Sequence, residues 1–266
     1  MRYIVDHDYH IHSQISACSN DPEQTPERIL SYAQENGFRR IVLTDHFWDD
    51  QVPGASDWYK PQNFDRIVKA RPLPQGEDVA FLFGAEADMD MHLTVGVADS
   101  RWDAFDFVII STTHLHMRGF TISEEEGASA QGRAEAWIRR LDSLLSKDLP
   151  FHKIGIAHLA CGTIAHEQEM YREVLSLLPD QKLEELFAGC AQAGVGIELN
   201  QDDMRFQKAA QEQILRIFRI AKNKGCKFYL GSDAHHPREF ASTKAIFENA
   251  VSLLGLTEDD KFHIKK

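Results

Sequence analysis

His10 and His12 form a His-x-His pair near the beginning of the chain, within the run Asp8-Tyr9-His10-Ile11-His12. In an extended strand, side chains two residues apart point to the same face, so both imidazoles can reach one metal ion. A single pair of this kind is weak evidence, because two histidines at this spacing are more often hydrogen-bonded or solvated than metal-bound. A metal site therefore needs further ligands elsewhere in the chain.

Five later apolar runs also end in a residue that can bind a metal ion. These run ends are Thr44-Asp45-His46, Gly84-Ala85-Glu86, Thr113-His114, Ala157-His158 and Asp233-Ala234-His235. A buried strand is normally followed by a turn residue rather than by an imidazole or a carboxylate. Six runs that end in this way predict a site for more than one metal ion.

The composition of the chain limits its size class and its partners. With 266 residues, 43% of them hydrophobic, the chain can bury one substantial core, which predicts a single domain over residues 1–266. The net charge of -12 and the pI near 5.5 argue against a general basic surface for nucleic acid or an anionic membrane. A small substrate is favoured, and no pattern in the sequence indicates an oligomeric state.

Cysteine usage and hydropathy indicate the compartment. The four cysteines, at positions 18, 161, 190 and 226, form no Cys-x-x-Cys pair, and the first residues lack the apolar segment of a signal peptide. No run approaches about 18 uninterrupted apolar residues, the length that a membrane-spanning helix needs. We therefore expect a cytoplasmic protein with no transmembrane helix.

Seven segments with strand character alternate with segments of helical periodicity. The predicted strands cover residues 8–12, 40–44, 80–85, 107–111, 153–157, 195–199 and 227–231. Thr25 and Pro26 begin the first predicted helix as N-cap and first helical residue, and Gly37 ends it. Further helices are predicted over residues 133–146, 183–193 and 207–224.

This strand-helix alternation, repeated seven times, predicts an α/β fold with a parallel sheet. The metal-type residues all follow the carboxyl ends of predicted strands, where the active site of an α/β barrel is located. An open, doubly wound sheet would spread these strand ends along a line, whereas a closed barrel brings them together. The pattern therefore favours a barrel.

Two connections are longer than the others and bear on the substrate pocket. One, residues 47–78, contains Trp48 and Trp58, and the other spans residues 116–132. Long loops at the functional face of a barrel usually shape a pocket or a lid. The two tryptophans could equally cover the barrel wall, and both interpretations stay open.

The ordered set of metal-type residues resembles the PHP family, named for polymerase and histidinol phosphatase. The resemblance rests on His10-x-His12, Thr44-Asp45-His46, Gly84-x-Glu86, His114, His158 and Asp233-x-His235, which together span nearly the whole chain. It implies a distorted, TIM-like (β/α)7 barrel of seven strand-helix units that holds two or three divalent metal ions.

The resemblance also implies which residues bind these ions. It assigns the first ion to His10, His12 and Asp233, the second to His114 and His158, and the third to His46 and His235, with Glu86 bridging the first two. The remaining ligand of the third ion would come from the loop after His12, where Cys18 is the better positional match and Asp21 the alternative. A cysteine would favour zinc, whereas an aspartate would leave manganese or iron open.

The function implied by the resemblance is that of a metal-dependent phosphoesterase, in which a metal-bound hydroxide attacks phosphorus. The leading hypothesis is hydrolysis of a small phosphate monoester, as by histidinol phosphatase in histidine biosynthesis. The alternative is a phosphodiesterase or nucleotide hydrolase of the same family. An amidohydrolase is disfavoured by Asp-His after the second strand and Gly-x-Glu after the third. A non-catalytic metal protein is disfavoured because structural zinc sites normally hold a single ion.

Candidate residues for the remaining catalytic roles follow the strand ends. Arg118 and Arg205 are candidate phosphate ligands, because a guanidinium can grip a phosphate with two hydrogen bonds. His116 and His236 stand beside predicted metal ligands and could protonate a leaving alkoxide. Asp45 is expected to orient an imidazole rather than to bind a metal.

Overall fold

The computed structural model describes residues 1–19, 21–205 and 210–264. Eight strands lie in this part of the chain: β1 (His7–Ile11), β2 (Arg40–Leu43), β3 (His46–Phe47), β4 (Ala80–Asp88), β5 (Phe107–Ser111), β6 (Ile154–Ile156), β7 (Gly196–Asn200) and β8 (Lys227–Gly231). The seven longer ones match the seven predicted strands, whereas the two-residue β3 was not predicted.

The strands form one parallel sheet that curls into a nearly closed barrel. The sheet order is β1-β2-β4-β5-β6-β7-β8, and β3 pairs with the far end of β4. The two ends of this order meet where Ile11 forms a bridge with Ala234 and the Asp233 amide donates to the His10 carbonyl at 2.7 Å. The predicted α/β, distorted seven-stranded barrel is confirmed.

Eight α-helices lie in the described residues: α1 (Pro26–Asn36), α2 (Phe64–Ile67), α3 (Ala130–Leu145), α4 (Gln168–Leu177), α5 (Asp180–Ala193), α6 (Gln201–Met204), α7 (Gln211–Asn223) and α8 (Thr243–Leu253). The expectation of one helix per strand is wrong in detail. Only the short α2 and 3₁₀ turns connect β3 to β4 and β4 to β5, whereas both α4 and α5 lie between β6 and β7. The first three residues of the predicted helix 207–224 lie outside the described residues. No helix in the described ranges has the length and apolarity that crossing a membrane requires.

The local signals at the first helix are borne out. The Thr25 side chain accepts a hydrogen bond from the Arg28 amide at 3.2 Å, and Pro26 is the first helical residue. Gly37 ends the helix with a left-handed backbone, φ 67°, which glycine adopts without the steric cost of a side chain. Short-range capping chemistry therefore sets the bounds of α1.

Strand β4 is longer than predicted and changes the position of Glu86. The predicted strand ended at Ala85, but β4 continues to Asp88 because Glu86 pairs with His46 of β3 on one side and Ile109 of β5 on the other. Glu86 therefore lies within a strand that is paired on both sides, and its backbone is fixed by two neighbours.

The interior of the barrel is filled by aromatic side chains at the amino end of the strands. Along β5 the alternate residues Phe107 and Ile109 point inward, and the ring of Phe107 lies 5.7 Å from Tyr9, 5.3 Å from Tyr229 and 5.9 Å from Phe262. The segment after α8 brings Phe262 beneath the barrel, where its amide donates to the Phe228 carbonyl at 2.8 Å. We call these four rings the aromatic plug.

Candidate metal centre

Three groups of ligand atoms converge at the carboxyl end of the barrel. The first group is His10, His12, Glu86 and Asp233; the second is Glu86, His114 and His158; the third is His12, Cys18, His46 and His235. Within each group the ligand atoms lie within 4.8 Å of one another. The structure thus brings all nine predicted ligands together, and it places Cys18 rather than Asp21 in the third group.

Glu86 lies at the centre of the three groups. Its Oε2 is 3.3 Å from His10 Nε2, 3.2 Å from His12 Nε2 and 3.0 Å from His46 Nδ1, while its Oε1 is 3.1 Å from His158 Nε2. The side chain is 1% exposed. One carboxylate therefore faces all three groups, as a bridging ligand must.

The electrostatics of the cluster favour cations. Burial alone would raise the pKa of Glu86, but the imidazoles of His46 and His10 hold it well below its usual range. Burial would lower the pKa of His12, but Asp233 and Glu86 raise it to about 9. The cluster therefore holds positive charge strongly, and divalent ions can supply that charge in place of protons.

Two buried atoms at the centre have no hydrogen-bond partner among the described residues. They are Glu86 Oε2 and His46 Nδ1, which face each other without acceptable hydrogen-bond geometry. A buried polar atom without a partner is costly unless another ligand satisfies it. Together with the mixed imidazole, carboxylate and thiol donors, these atoms fit divalent metal ions.

The orientation of His12 is set by a hydrogen-bonded chain that ends at Asp45. Ser16 Oγ donates to Asp45 Oδ1 at 2.8 Å, so it can only accept from His12 Nδ1, 3.0 Å away. The Nδ1 of His12 therefore carries the proton, and its Nε2 lone pair faces the metal groups. Asp45 orients an imidazole as expected, although it does so through Ser16.

Asp88 orients the second group and was missed by sequence analysis. Its carboxylate lies 2.7 Å from His114 Nδ1 and is held by Arg140 at 3.2 Å and by the Tyr59 hydroxyl at 3.2 Å. The carboxylate fixes the ring with Nε2 toward the metal group. Its position two residues after Glu86, on the same face of one strand, was a signal that could have revealed it.

A cleft with two lobes opens above the metal groups. The aromatic lobe, about 500 Å³, is lined by Trp58, Tyr59, His116 and Met117, and the polar lobe, about 290 Å³, by Cys161, His166, Gln168, Asn200 and Asp202. His114, Thr163 and Asp233 line both lobes. The two long loops thus shape the pocket as expected.

The two tryptophans have different positions. Trp48 is buried, and its ring packs beside Tyr59 and Phe120. Trp58 is 38% exposed in the cleft, with its ring centre 5.1 Å from that of His46. The wall-covering interpretation therefore applies to Trp48 and the pocket interpretation to Trp58.

The two predicted proton donors, His116 and His236, also differ in their positions. His116 lines the aromatic lobe, and its Nδ1 is buried with no hydrogen-bond partner in the part of the chain that the structure describes. Burial, together with the charge of His114, lowers the pKa of His116 to about 4. His236 is absent from the lining of both lobes and faces Asp21, with 3.4 Å between Nδ1 and Oδ2. Of these two histidines, only His116 lines the cleft.

The structure does not bring the two predicted phosphate ligands to the cleft. The Arg118 side chain is 40% exposed and faces Glu124 at 4.0 Å, and that of Arg205 is 45% exposed and faces Asp202 at 3.0 Å. Neither lines a lobe. Phosphate binding by these arginines stays a prediction that requires them to leave their present partners.

Comparisons with known proteins concern the family and the fold of the chain. The model of the PHP domain family matches residues 8–232. No curated protein sequence matches the chain. Among solved structures, histidinol phosphate phosphatase from Lactococcus lactis, in complex with zinc, L-histidinol and phosphate, is similar in fold: the identity is 17%, the match covers 97% of this chain and 98% of that one, and the TM-score is 0.62. An HPPK-DHPS structure from Plasmodium falciparum with pteroate matches at 9% identity over 94% of this chain and 48% of that one, with a TM-score of 0.44.

Proposed function

Because the chain belongs to the PHP domain family, we propose that it is a metal-dependent phosphoesterase that hydrolyses a small phosphate monoester, as histidinol phosphatase does. The catalytic domain would cover residues 1–266. The observation that carries the proposal is the buried Glu86 carboxylate, which faces three ligand groups at the floor of an open cleft. The zinc, histidinol and phosphate bound to the Lactococcus lactis protein support it.

The nine clustered side chains would hold two or three divalent ions, with zinc, iron and manganese as the candidates that this mixed donor set suits. When bound, such ions lower the pKa of a coordinated water to about 7 and neutralise the charge that develops on phosphoryl oxygens. The protein supplies the orientation of its imidazoles, through Ser16 for His12 and through Asp88 for His114.

In this proposal His116 delivers a proton to the leaving group, which its position in the lining of the aromatic lobe supports. Its low pKa, about 4, leaves the ring neutral in the absence of an anion. A phosphate ester in the aromatic lobe would raise that pKa, because a nearby negative charge favours the protonated imidazole. His116 would then donate its proton to the alkoxide as the ester bond breaks.

One observation favours a second candidate, a phosphodiesterase of the same family. The two lobes share His114, Thr163 and Asp233, so a phosphorus atom beside these residues has space for one substituent in each lobe. A monoester carries one such substituent and a diester carries two. Trp58 in the aromatic lobe offers a ring on which a base or an aryl group could stack.

The proposal is tested by metal analysis and a matched set of substrates. The protein is purified without chelators, its ions per chain are counted by elemental analysis, and phosphate release is assayed from histidinol phosphate and an aryl phosphate. Hydrolysis of an aryl phosphodiester is measured in parallel. We expect two or three ions and hydrolysis of the monoesters, with preference for histidinol phosphate supporting a role in histidine biosynthesis. Cleavage of the diester alone would select the second candidate, and fewer than two ions would contradict both.

A further inference from the structure

None of the nine clustered potential ligands lies on or directly after strand β7, but this strand carries a buried carboxylate. Glu198 lies in the middle of the strand and its side chain is 0% exposed. Among the described residues, no Lys or Arg forms an ion pair with it. A carboxylate is costly to bury unless a charged or hydrogen-bonding partner compensates for the lost water. The partners of Glu198 therefore indicate its role.

The first partner is His10, a ligand in the first group. Glu198 Oε1 lies 2.7 Å from His10 Nδ1. An ionised carboxylate can only accept, so Nδ1 carries the proton and the lone pair of Nε2 is free. That Nε2 lies 3.3 Å from Glu86 Oε2 and 3.3 Å from Asp233 Oδ1, so Glu198 fixes the tautomer that turns His10 toward the metal site.

The second partner is the backbone of His158, a ligand in the second group. The His158 amide donates to Glu198 Oε2 at 2.6 Å. His158 has φ 29°, a left-handed conformation that is unfavourable for a residue with a side chain and that persists only where its surroundings hold it. The hydrogen bond to Glu198 helps to stabilise this backbone conformation, which orients the His158 imidazole toward Glu86.

The next inward residue of the same strand contacts a third ligand. The side-chain nitrogen Nδ2 of Asn200 lies 3.3 Å from Glu198 Oε2 and 3.5 Å from Asp233 Oδ2. Asp233 is also left-handed, with φ 53°. Strand β7 therefore supports His158 and Asp233, which follow its neighbours β6 and β8, and His10 of β1 across the closure of the barrel.

The backbone of β8 is adapted to the position of Glu198. A Cβ atom at Gly231 would lie 1.8 Å from Glu198 Oε1 and 2.7 Å from His10 Cβ. Both approaches are far inside van der Waals contact. Only glycine leaves space for the carboxylate and the imidazole to meet at this point.

We propose that Glu198 is a positioning residue that couples the first and second metal groups, since one oxygen sets the His10 ring and the other sets the His158 backbone. The inference rests on the proposed metal centre. It predicts that loss of Glu198 weakens ion binding in both groups. Loss of Asp88 should weaken binding in the second group alone, because His114 is the one potential ligand among the described residues whose side chain Asp88 contacts.

Glu198→Gln is the appropriate variant because an amide cannot replace both functions. Its single oxygen can accept from the His10 ring or from the His158 amide, and its NH₂ group then faces the other donor. The volume is conserved, so the change removes the coupling with little effect on packing.

The experiment counts zinc ions per chain by elemental analysis after dialysis against a zinc buffer of fixed free concentration. Wild type, Glu198→Gln and Asp88→Asn are compared, and each is also unfolded thermally in excess chelator. We expect Glu198→Gln to hold two ions fewer than wild type, because the dissociation constants of both groups should rise about 10- to 100-fold. Asp88→Asn should hold one ion fewer than wild type. Phe262→Ala, which destabilises the distant aromatic plug, should keep the wild-type ion count.

The outcomes separate the inference from the proposed function. A wild-type chain with fewer than two ions would overturn the metal centre itself. A wild-type chain with two or more ions, together with Glu198→Gln that keeps them or loses only one, would overturn the coupling. Ion loss in Phe262→Ala equal to that in Glu198→Gln would also overturn it, because general destabilisation would then explain the effect. If Glu198→Gln does not fold, Glu198→Asp, which keeps the charge on a shorter side chain, is measured against the same criteria.

Discussion

The two ends of the barrel are built from the same strands but have opposite chemistry. At the amino end, the aromatic plug contains Tyr9, Phe107, Tyr229 and Phe262 and fills the interior with rings. At the carboxyl end, eight other potential metal ligands surround Glu86. Strand β1 passes from Tyr9 in the plug to the first metal group one residue later. Aromatic packing and potential metal binding are thus separated along β1, β5 and β8, and substitutions at the two ends should differ in what they change.

The largest expected effect is at the carboxyl end. Glu86→Gln removes the charge that faces all three ligand groups, so we expect hydrolysis to fall by on the order of 10³-fold or more. Turnover and ions per chain are the measurements, and far-ultraviolet circular dichroism checks that the fold is retained. Near-normal turnover would contradict the assignment of Glu86 to the catalytic site and the proposed difference in role between the two ends of the barrel.

The matching substitution at the amino end should have the opposite profile. Phe262→Ala removes a ring that is 4% exposed and packs against Phe107 and Tyr229, so we expect a loss of about 3 kcal/mol in the free energy of unfolding. Urea denaturation measures this loss, while KM and the ion count of the folded protein should not change. A large change in ion count with little loss of stability would show that the two ends are not independent.

A smaller effect tests the assignment of the proton donor. His116→Gln should lower kcat for an alkyl phosphate about 10²-fold, because a poor leaving group needs a proton, and should lower it much less for an aryl phosphate with a good leaving group. Steady-state kinetics on the two esters make the comparison. Equal losses on both would assign His116 to substrate binding or packing instead.

The smallest effect is a pH dependence at the amino end. Burial would raise the pKa of Asp6, but His7 and Lys261 lower it to about 2. A lowered pKa in the folded state stabilises the protein above the unfolded pKa, and this stabilisation is lost as the pH falls toward 2. Asp6→Asn should therefore cost roughly 1 kcal/mol at pH 6, after solvent screening, and progressively less below pH 4.

The reference for this pH dependence is wild type, with both proteins denatured by urea at each pH. A constant difference between Asp6→Asn and wild type from pH 6 to pH 3 would show that the Asp6 charge is not responsible. A pH-dependent difference in hydrolysis without one in stability would place the effect at the carboxyl end instead.

Much of the ligand set could be predicted because its signals are local. The alternation of side chains places His10 and His12 together, and the carboxyl ends of parallel strands meet at one end of a barrel. Predicting that these ligands lie together therefore required no knowledge of contacts between residues far apart in the sequence. The helix caps Thr25 and Gly37 could be predicted for the same reason, since each interacts with residues within one turn of the helix.

Other features depended on contacts that no local pattern encodes. Glu198 is 188 residues from His10 in sequence, and only closure of the barrel brings them within 2.7 Å. The arginines predicted from their proximity to strand ends, Arg118 and Arg205, lie outside the cleft because their loops turn them toward acidic neighbours. Spacing along the chain carries no information on where a loop side chain points.

The sequence alone therefore determined which strands the potential ligands follow, the barrel fold, and the clustering of metal-binding residue types at its carboxyl end. These features could be predicted because strand periodicity and strand termini are short-range properties. Tertiary structure decided which loop residue joins the third group, which carboxylates orient the imidazoles, and how the cleft divides into two lobes. These depend on side chains from separate strands and loops that meet only when the sheet closes, so their distances are set by packing rather than by sequence spacing.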